Sequence, residues 1–311
     1  MPETRYEYIY GPVPSRRLGE SLGISPIPSK TCNYSCVYCQ LGRTNNLTNR
    51  RQEFFPLQGI IDEFRHIQDQ GIHYDVVTIV GEGEPTLYLK LGKLIRELKK
   101  MTSKPIAVIT NGALLSDPQV REELMAADIV LPSLDAYDEK SYHIINRPYG
   151  TLKFTEVIEG LQLFSKQFCG HLWIEIMLIR GMNDSPENLL QLKRLLKTIR
   201  YDRLYINAPV RPPAEDGIEE PDGETIMYAV DVLGGIAINM LVSEGFYSPD
   251  AEDYDAVISI VKRHPMTQFE ISSFLSSRGC SDIDRIFEQL RSDPGVAVIL
   301  YKGYETFRIR I

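Results

Sequence analysis

Three cysteines near the N-terminus have the residue type and the spacing for metal chemistry. Cys32, Cys36 and Cys39 follow the pattern C-x3-C-x2-C. Cysteine thiolates are the usual ligands of iron–sulfur clusters, and a [4Fe–4S] cluster has four irons to ligate. Three cysteines on one short loop would hold three of these irons and leave the fourth open to another ligand. The spacing therefore predicts a [4Fe–4S] cluster with one open iron.

Zinc and a disulfide are the alternatives for these cysteines. A structural zinc site takes four nitrogen or sulfur ligands, and the nearest histidines, His66 and His73, do not follow at zinc-finger spacing. Structural disulfides are typical of oxidising compartments, whereas this chain has five cysteines, an odd number, with three of them closely spaced. Zinc stays open as the minor alternative, and a disulfide is disfavoured.

The composition is that of an ordinary globular protein. The 311 residues are 43% hydrophobic and carry a formal net charge of -8, and this length suits one large domain plus a small one. The longest apolar stretches, such as 234–242, are too short to cross a bilayer, and no signal peptide is visible. We therefore expect a cytoplasmic protein without membrane contact.

The basic residues are unevenly distributed. Residues 1–55 carry seven Lys and Arg against four Asp and Glu, although the whole chain is acidic. We call Arg16, Arg17, Arg50 and Arg51 the basic rim, because they flank the cysteine loop in the sequence. This rim predicts a site for a phosphate-bearing substrate, while a pair such as Arg50 and Arg51 is also typical of a solvated loop.

Short apolar runs alternate with longer stretches of helical periodicity. The six apolar runs are 22–27, 76–80, 106–109, 129–134, 172–179 and 204–208. The predicted helices are 57–70, 89–101, 117–126, 153–167, 186–199 and 223–234. This alternation indicates a parallel sheet with right-handed crossovers. Because six repeats are too few for a closed eight-stranded barrel, the pattern predicts an α/β fold, an open partial (β/α)6 barrel.

Polar segments follow the second and third predicted strands, at the edge where parallel α/β sheets bind ligands. The second strand runs into Gly81-Glu82-Gly83-Glu84-Pro85, and the third ends in Thr110-Asn111-Gly112. Glycine permits a close approach of the backbone, and Thr-Asn-Gly is typical of a turn. Both segments are candidates for the wall of a pocket.

The fourth and fifth strands place polar side chains on one face. Side chains alternate along a strand, so Ser133 and Asp135 share a face, although Asp135 also fits as a turn cap. In the fifth strand Trp173, Glu175 and Met177 lie opposite a uniformly aliphatic set. A buried glutamate is rare unless it is paired or functional. We therefore expect Glu175 to be a pocket residue in the barrel lumen.

Further residues near the strand ends form a substrate-side group. Its members are Trp173, Asn183, Tyr205, Asn207 and Arg211. Each of them also fits ordinary packing or capping. With Glu175 from the fifth strand, Asn207 and Arg211 are the candidate catalytic residues.

The pattern changes after residue 247, which predicts two domains, 1–247 and 248–311. Helices predicted over 251–263, 267–277 and 281–292 precede a hairpin of strands 296–300 and 306–311, with its turn near 302–303. Three helices and a two-stranded hairpin resemble a winged-helix module. Its third helix has no basic excess, so a packing cap or a protein-contact module is favoured over DNA binding.

Across residues 10–210 the chain resembles radical S-adenosylmethionine (SAM) iron–sulfur oxidoreductases related to the tRNA wyosine-synthesising enzymes. The matching segments are 11–19, the cysteine loop with Tyr38, the Gly-Glu-Gly-Glu-Pro run and Val-Arg-Pro-Pro at 210–213. The resemblance implies a partial barrel with a [4Fe–4S] cluster on Cys32, Cys36 and Cys39 and SAM on the open iron. It also implies a SAM pocket formed by Tyr38, Glu82, Gly83, Glu84, Thr110, Asn111, Ser133 and Asp135.

The implied activity is reductive cleavage of SAM to a 5′-deoxyadenosyl radical, with the electron supplied by a flavodoxin- or ferredoxin-like donor. The remaining cysteines, Cys169 and Cys280, are too few for the second cluster of wyosine synthases. We therefore expect a radical SAM enzyme that modifies a different nucleotide or RNA substrate. The alternatives are modification of a protein or peptide docked on the C-terminal module, and a non-enzymatic iron–sulfur or zinc regulator.

Overall fold

The computed structural model describes residues 6–238, 246–248, 250, 252–301 and 304–310. Up to residue 238 the strands are β1 (Ile9–Ser15), β2 (Gly19–Ile24), β3 (Thr31–Cys32), β4 (Asn46–Leu47), β5 (Val76–Ile79), β6 (Ile106–Thr110), β7 (Ile129–Pro132), β8 (His171–Met177), β9 (Arg203–Asn207) and β10 (Ile236–Ala237). The helices are α1 (Leu57–Asp69), α2 (Leu91–Met101), α3 (Pro118–Leu124), α4 (Glu139–Ile145), α5 (Phe154–Gln167), α6 (Pro186–Leu196) and α7 (Gly223–Leu233).

Eight of these strands form one sheet in the order β1-β2-β5-β6-β7-β8-β9-β10. Every pairing from β2 to β10 is parallel, and only β1 runs antiparallel to its neighbour. β5 and β7 are buried along their whole length, as expected for a parallel sheet covered on both faces. The predicted α/β fold with a partial barrel is confirmed, and the six apolar runs are β2 and β5 to β9.

Up to residue 238, the strands and α-helices not predicted from the sequence are β1, α4, β10 and the two-residue strands β3 and β4. β1 contains Pro12 and Pro14, and proline weakens a strand signal because it removes a ladder donor; it is tolerated here because β1 is an edge strand. The seven residues of α4 make too few turns for a clear period. β10 has two residues, too short for alternation to be visible.

The helices begin and pack as their sequences indicate. The Asp117 side chain accepts a hydrogen bond from the Gln119 N–H, and Ser185 accepts one from the Asn188 N–H, so α3 and α6 each begin at a side-chain cap. The buried face of α2 consists of Leu91, Gly92, Leu94, Ile95 and Leu98, the spacing of an amphipathic helix. Within the described ranges, no helix is both long and apolar enough to cross a membrane.

The C-terminal part, from residue 252 onward, has its own helices and its own three-stranded sheet. Its elements are α8 (Asp253–Val261), β11 (Met266–Thr267), α9 (Gln268–Ser277), α10 (Ile283–Ser292), β12 (Val296–Tyr301) and β13 (Tyr304–Ile309). The strands pair in the order β11-β13-β12. Val13 of β1 is buried in the same apolar cluster as the helices and strands of this part. The C-terminal part therefore packs on the first hairpin, which consists of β1 and β2. The winged-helix assignment and the boundary at 247 stay predictions, and the turn near 302–303 lies outside the described residues.

Candidate active site

A cavity of about 400 Å3 lies at the C-terminal ends of the parallel strands. All three cysteines of the loop line it. The other predicted residues that line it are Tyr38, Glu82, Gly83, Glu175, Asn207 and Arg211. Asn111, Ser133 and Asp135 line a smaller neighbouring cavity of about 20 Å3. The fold therefore brings the cysteine loop and residues from several strand ends to one place.

The cysteine loop rests on the Gly-Glu-Gly-Glu-Pro segment. The Lys30 N–H donates to the Glu82 carbonyl at 2.6 Å, and the Glu84 N–H donates to the Thr31 carbonyl at 3.1 Å. A Cβ atom on Gly83 would lie 1.8 Å from the Thr31 carbonyl oxygen. Glycine is therefore required at position 83 by the backbone of the cysteine loop itself.

Two asparagine amides contact the cysteine sulfurs. Asn111 Nδ2 lies 3.7 Å from Cys32 Sγ, and Asn146 Nδ2 lies 3.6 Å from Cys36 Sγ. Hydrogen bonds to ligand sulfurs orient the ligands and tune the potential of a cluster. The sequence analysis missed Asn146, which follows α4, because an asparagine after a helix is also an ordinary capping residue.

Glu84 supports Asn111, the asparagine that contacts Cys32. Its buried carboxylate accepts four hydrogen bonds, from the Thr86 N–H and hydroxyl, the Thr110 hydroxyl and the Asn111 N–H. Burial raises the pKa of Glu84, and these donors act against that rise. All four partners belong to the protein, which gives the Glu84 carboxylate and Thr110 a positioning function. Their direct contact with SAM stays a prediction.

Asp135 supports Asn146, the asparagine that contacts Cys36. Its carboxylate accepts hydrogen bonds from the Tyr38 hydroxyl at 2.5 Å, Asn146 Nδ2 at 2.9 Å and the Met177 N–H at 2.8 Å. Burial raises the pKa of Asp135. This carboxylate joins the cysteine loop to β8, and its predicted contact with SAM stays a prediction. Ser133 forms a bridge with β8 at Glu175.

Glu175 faces the cavity as predicted, and it is paired. It contacts the Arg17 guanidinium, and Asn207 Nδ2 donates to Glu175 Oε1 at 3.4 Å. Burial lowers the pKa of Arg17 to about 10. These residues form a polar part of the lining of the cavity that the cysteines also line.

The other substrate-side candidates have packing functions. Trp173 and Tyr205 pack edge to face, with ring centroids 5.8 Å apart, in an apolar cluster of the barrel interior. The Asn183 side chain is fully buried and bonds the carbonyls of Asp135 and Met177. These contacts correct the expectation that all three residues form the substrate wall.

Arg211 holds the C-terminal part against the cavity. Its guanidinium donates to the Pro265 carbonyl at 2.6 Å, to Glu270 Oε1 at 2.9 Å and to His264 Nε2 at 2.7 Å. His264 and Glu270 line the same cavity as the cysteines, together with Arg263. The C-terminal part therefore forms one wall of the candidate site, and Arg211, predicted to be catalytic, holds this wall in position.

The basic rim is not a single surface. Arg16 and Arg17 line the cavity, whereas Arg50 is exposed. The Arg51 guanidinium pairs with Glu123 and bonds two backbone carbonyls. Only the first pair of arginines is therefore placed to meet a substrate in the cavity.

Comparison with known proteins identifies the family. Residues 27–192, more than half of the chain, match the radical SAM superfamily. The chain belongs to the radical SAM superfamily. A UPF0026 protein of Methanocaldococcus jannaschii is 34% identical over 285 residues, which cover 88% of this chain and 87% of that protein. A protein of Brachyspira hyodysenteriae named GTPase Obg is 39% identical over 203 residues, and the match covers 65% of this chain but 30% of that protein.

More distant similarities agree with this assignment. The structure of TYW1 with a lysine–pyruvate adduct bound has a TM-score of 0.54 at 20% identity, covering 70% of this chain and 74% of that chain, which supports the fold. A probable GTP 3′,8-cyclase of Sulfurisphaera tokodaii is 31% identical over 161 residues, 51% of this chain and 48% of that protein. A ribosomal RNA large subunit methyltransferase N of Nitrosopumilus maritimus is 24% identical over 220 residues, which cover 68% of this chain and 60% of that protein.

The predicted resemblance is confirmed, and the protein is a radical SAM enzyme with a [4Fe–4S] cluster and SAM as its cofactors. The alternative of a non-enzymatic regulator is wrong. Three cysteines that line one cavity fit the cluster of this superfamily, because each sulfur bonds a different iron. In the described part of the chain, no three His, Cys, Asp or Glu residues converge as a single metal ion requires.

Burial changes the acidity of two of the three thiols in the cysteine loop. Burial raises the pKa of Cys32 to about 12 and raises that of Cys36 well above its ordinary value. Such thiols stay protonated on their own, and metal binding displaces their protons. Burial therefore suppresses the reactivity of Cys32 and Cys36 as free nucleophiles.

Proposed function

We propose that this radical SAM enzyme modifies a nucleotide or an RNA. The observation that carries the proposal is the set of guanidinium groups in the cavity that the cysteines line. Arg16, Arg17, Arg211 and Arg263 all belong to that lining. Arginine binds phosphate oxygens through charge-assisted, frequently bidentate hydrogen bonds. The names of two relatives, a GTP 3′,8-cyclase and a ribosomal RNA methyltransferase, support the same substrate class.

Each wall of the cavity has its own function in this proposal. When bound, the cluster and SAM would supply radical chemistry for hydrogen abstraction. Cys32, Cys36 and Cys39 hold the cluster, and Glu82 and Gly83 lie beside them for contact with SAM.

Glu175 and Asn207 line the same cavity and are the proposed contacts of the substrate. The C-terminal wall excludes water from the cavity, which protects a reactive intermediate from side reactions. A flavodoxin- or ferredoxin-like protein is the proposed electron donor.

The substrate class can be tested with fractions of cell extract. Dithionite-reduced, cluster-loaded enzyme is mixed with SAM and with a nucleotide pool, total tRNA or a peptide fraction, and 5′-deoxyadenosine is measured by mass spectrometry. We expect the nucleotide pool or the tRNA to accelerate 5′-deoxyadenosine formation, and the Cys36→Ala variant to be inactive with every fraction. Acceleration by the peptide fraction alone would contradict the proposal.

The peptide outcome is the second candidate, and one observation favours it. Phe269 and Leu300, in the C-terminal part, expose 64% and 74% of their surfaces. Single exposed apolar side chains are ordinary, and they mark a protein contact where they form one contiguous patch. A peptide substrate docked there would lie on the part that forms one wall of the cavity.

A further inference from the structure

The charged groups of the cavity form pairs. Arg17 contacts Glu175, and Arg211 Nη2 lies 2.9 Å from Glu270 Oε1. Arg263 Nε lies 4.0 Å from Glu82 Oε2, and its Nη2 donates to the Glu7 carbonyl at 2.5 Å. Three acids and three arginines of the lining are thereby matched.

Arg16 is the arginine of this lining that takes no part in these three pairs. Among the residues the structure describes, its guanidinium has no hydrogen-bond or ion-pair partner, yet it lines the cavity and is partly buried. Its charge adds to the effect of burial in lowering the pKa values of Arg211 and His264, so it lies near both. The remaining cation of the lining, Lys30, donates to the Leu41 carbonyl at 2.7 Å, beside the cysteine loop.

The environment of Arg16 suits an oxyanion. A cation in a partly desolvated cavity, close to other cations, lacks both full hydration and a compensating charge. A bound anion would supply the compensating charge and would accept hydrogen bonds in place of water. A guanidinium presents donors in the fork that matches phosphate. His264 is neutral, because burial and the nearby arginines hold its pKa well below the ordinary value, so its ring adds no further positive charge.

We propose that Arg16 is the anchor for a phosphate group of the substrate, at the junction of the first hairpin and the C-terminal wall. The inference rests on the proposed nucleotide or RNA function and deepens it. It places the phosphate beside His264, where the C-terminal part lines the cavity. The reacting part of the substrate would then lie near Glu175 and Asn207, which line the same cavity.

Calorimetry on the cluster-loaded, full-length protein tests this anchor. Inorganic pyrophosphate, guanosine 5′-phosphate, guanosine, malonate and total tRNA are titrated into the wild type, Arg16→Gln, Arg16→Lys and the exposed control Arg50→Gln. Iron content and thermal melting confirm that each variant is folded and loaded. We expect Arg16→Gln to weaken pyrophosphate and guanosine 5′-phosphate binding at least tenfold, Arg16→Lys to recover part of it, and Arg50→Gln to bind as the wild type.

The outcomes separate the anchor from the proposed function. No pyrophosphate binding by the wild type, or equal binding by Arg16→Gln, would overturn the anchor. If malonate binds more tightly than pyrophosphate, Arg16 serves a carboxylate and not a phosphate, and the proposal is overturned. Arg16-dependent pyrophosphate binding, with guanosine 5′-phosphate and tRNA binding no tighter than pyrophosphate, would leave the anchor standing and contradict the nucleotide function.

Discussion

The Asn146 side-chain amide lies 3.6 Å from Cys36 Sγ and donates a second hydrogen bond to Asp135 Oδ2 at 2.9 Å. Asp135 in turn binds the Tyr38 hydroxyl and the Met177 N–H. The position of a cysteine sulfur is thereby tied to β8. On the other side of the loop, Glu84 and Asn111 support Cys32. Asparagines outside the cysteine motif therefore complete the support of the cluster.

Replacing Asn146 by Leu should weaken cluster retention by about 10- to 100-fold, the usual effect of losing a group that supports a metal ligand. The midpoint potential should become more negative, because the lost N–H stabilises the additional negative charge of the reduced cluster. Iron analysis and a redox titration followed by electron paramagnetic resonance measure both effects. Asn188→Leu, which removes a bond to the Met182 carbonyl, is the matched control. A wild-type potential in Asn146→Leu would contradict this function.

Cysteine replacements should divide into two groups. Ala at position 32, 36 or 39 should abolish the [4Fe–4S] cluster and SAM cleavage, because each removes one of the three protein ligands. Cys169→Ala and Cys280→Ala should keep about four irons per chain, counted by iron and sulfide analysis. About eight irons per chain, or tightly bound zinc in place of iron, would contradict the assignment.

Glu84→Ala should reduce stability and iron content together. It removes the acceptor of four hydrogen bonds and leaves buried donors unsatisfied, at a cost of about 1–3 kcal/mol for each such group. Urea unfolding and iron analysis provide the measurement. The exposed Glu156→Ala, which loses a surface ion pair with Lys153, should change stability by less than about 1 kcal/mol. A Glu84→Ala protein with normal stability and iron but weak SAM binding would instead support direct contact with SAM.

Gly83→Ala should destabilise the protein by about 3 kcal/mol or more, because its Cβ would overlap the Thr31 carbonyl and displace the cysteine loop. Cluster loading should fall with it. At Gly150 a Cβ would meet nothing within 4 Å, so Gly150→Ala is a matched control that should stay close to the wild type. Thermal melting and the cluster absorbance compare the two. Equal behaviour of both variants would show that position 83 tolerates a side chain.

His264 should make the protein sensitive to acid. Its pKa in the folded protein lies well below the ordinary value, because of burial and of Arg211, Arg16 and Arg17. Between this pKa and about 6.5 the unfolded chain binds more protons than the folded one, so the stability present at neutral pH is lost as the pH falls.

The wild type should lose about 1.4 kcal/mol per pH unit from this group below about pH 6.5, and His264→Gln should lack that contribution. Urea unfolding at pH 7.5 and pH 5.5 measures the difference. Equal losses in both proteins would contradict it.

The sequence by itself determined the type of chemistry and the class of fold. Three thiols within one short loop are brought together by chain connectivity, so their joint function was visible without a structure. The six apolar runs and the helical periods reflect burial against neighbouring layers, which is a local pattern. The lumen-facing position of Glu175 followed from strand alternation alone.

Only the tertiary structure decided which polar groups face the cavity and which support it. Asp135 and Tyr38 are 97 residues apart, and Arg211 and Glu270 are 59 apart, so no local pattern records these contacts. The same holds for the basic rim, where Arg51 is bound to Glu123 while Arg16 lines the cavity. Side-chain direction at the end of a strand depends on the nearest available partner, and long-range packing sets that partner.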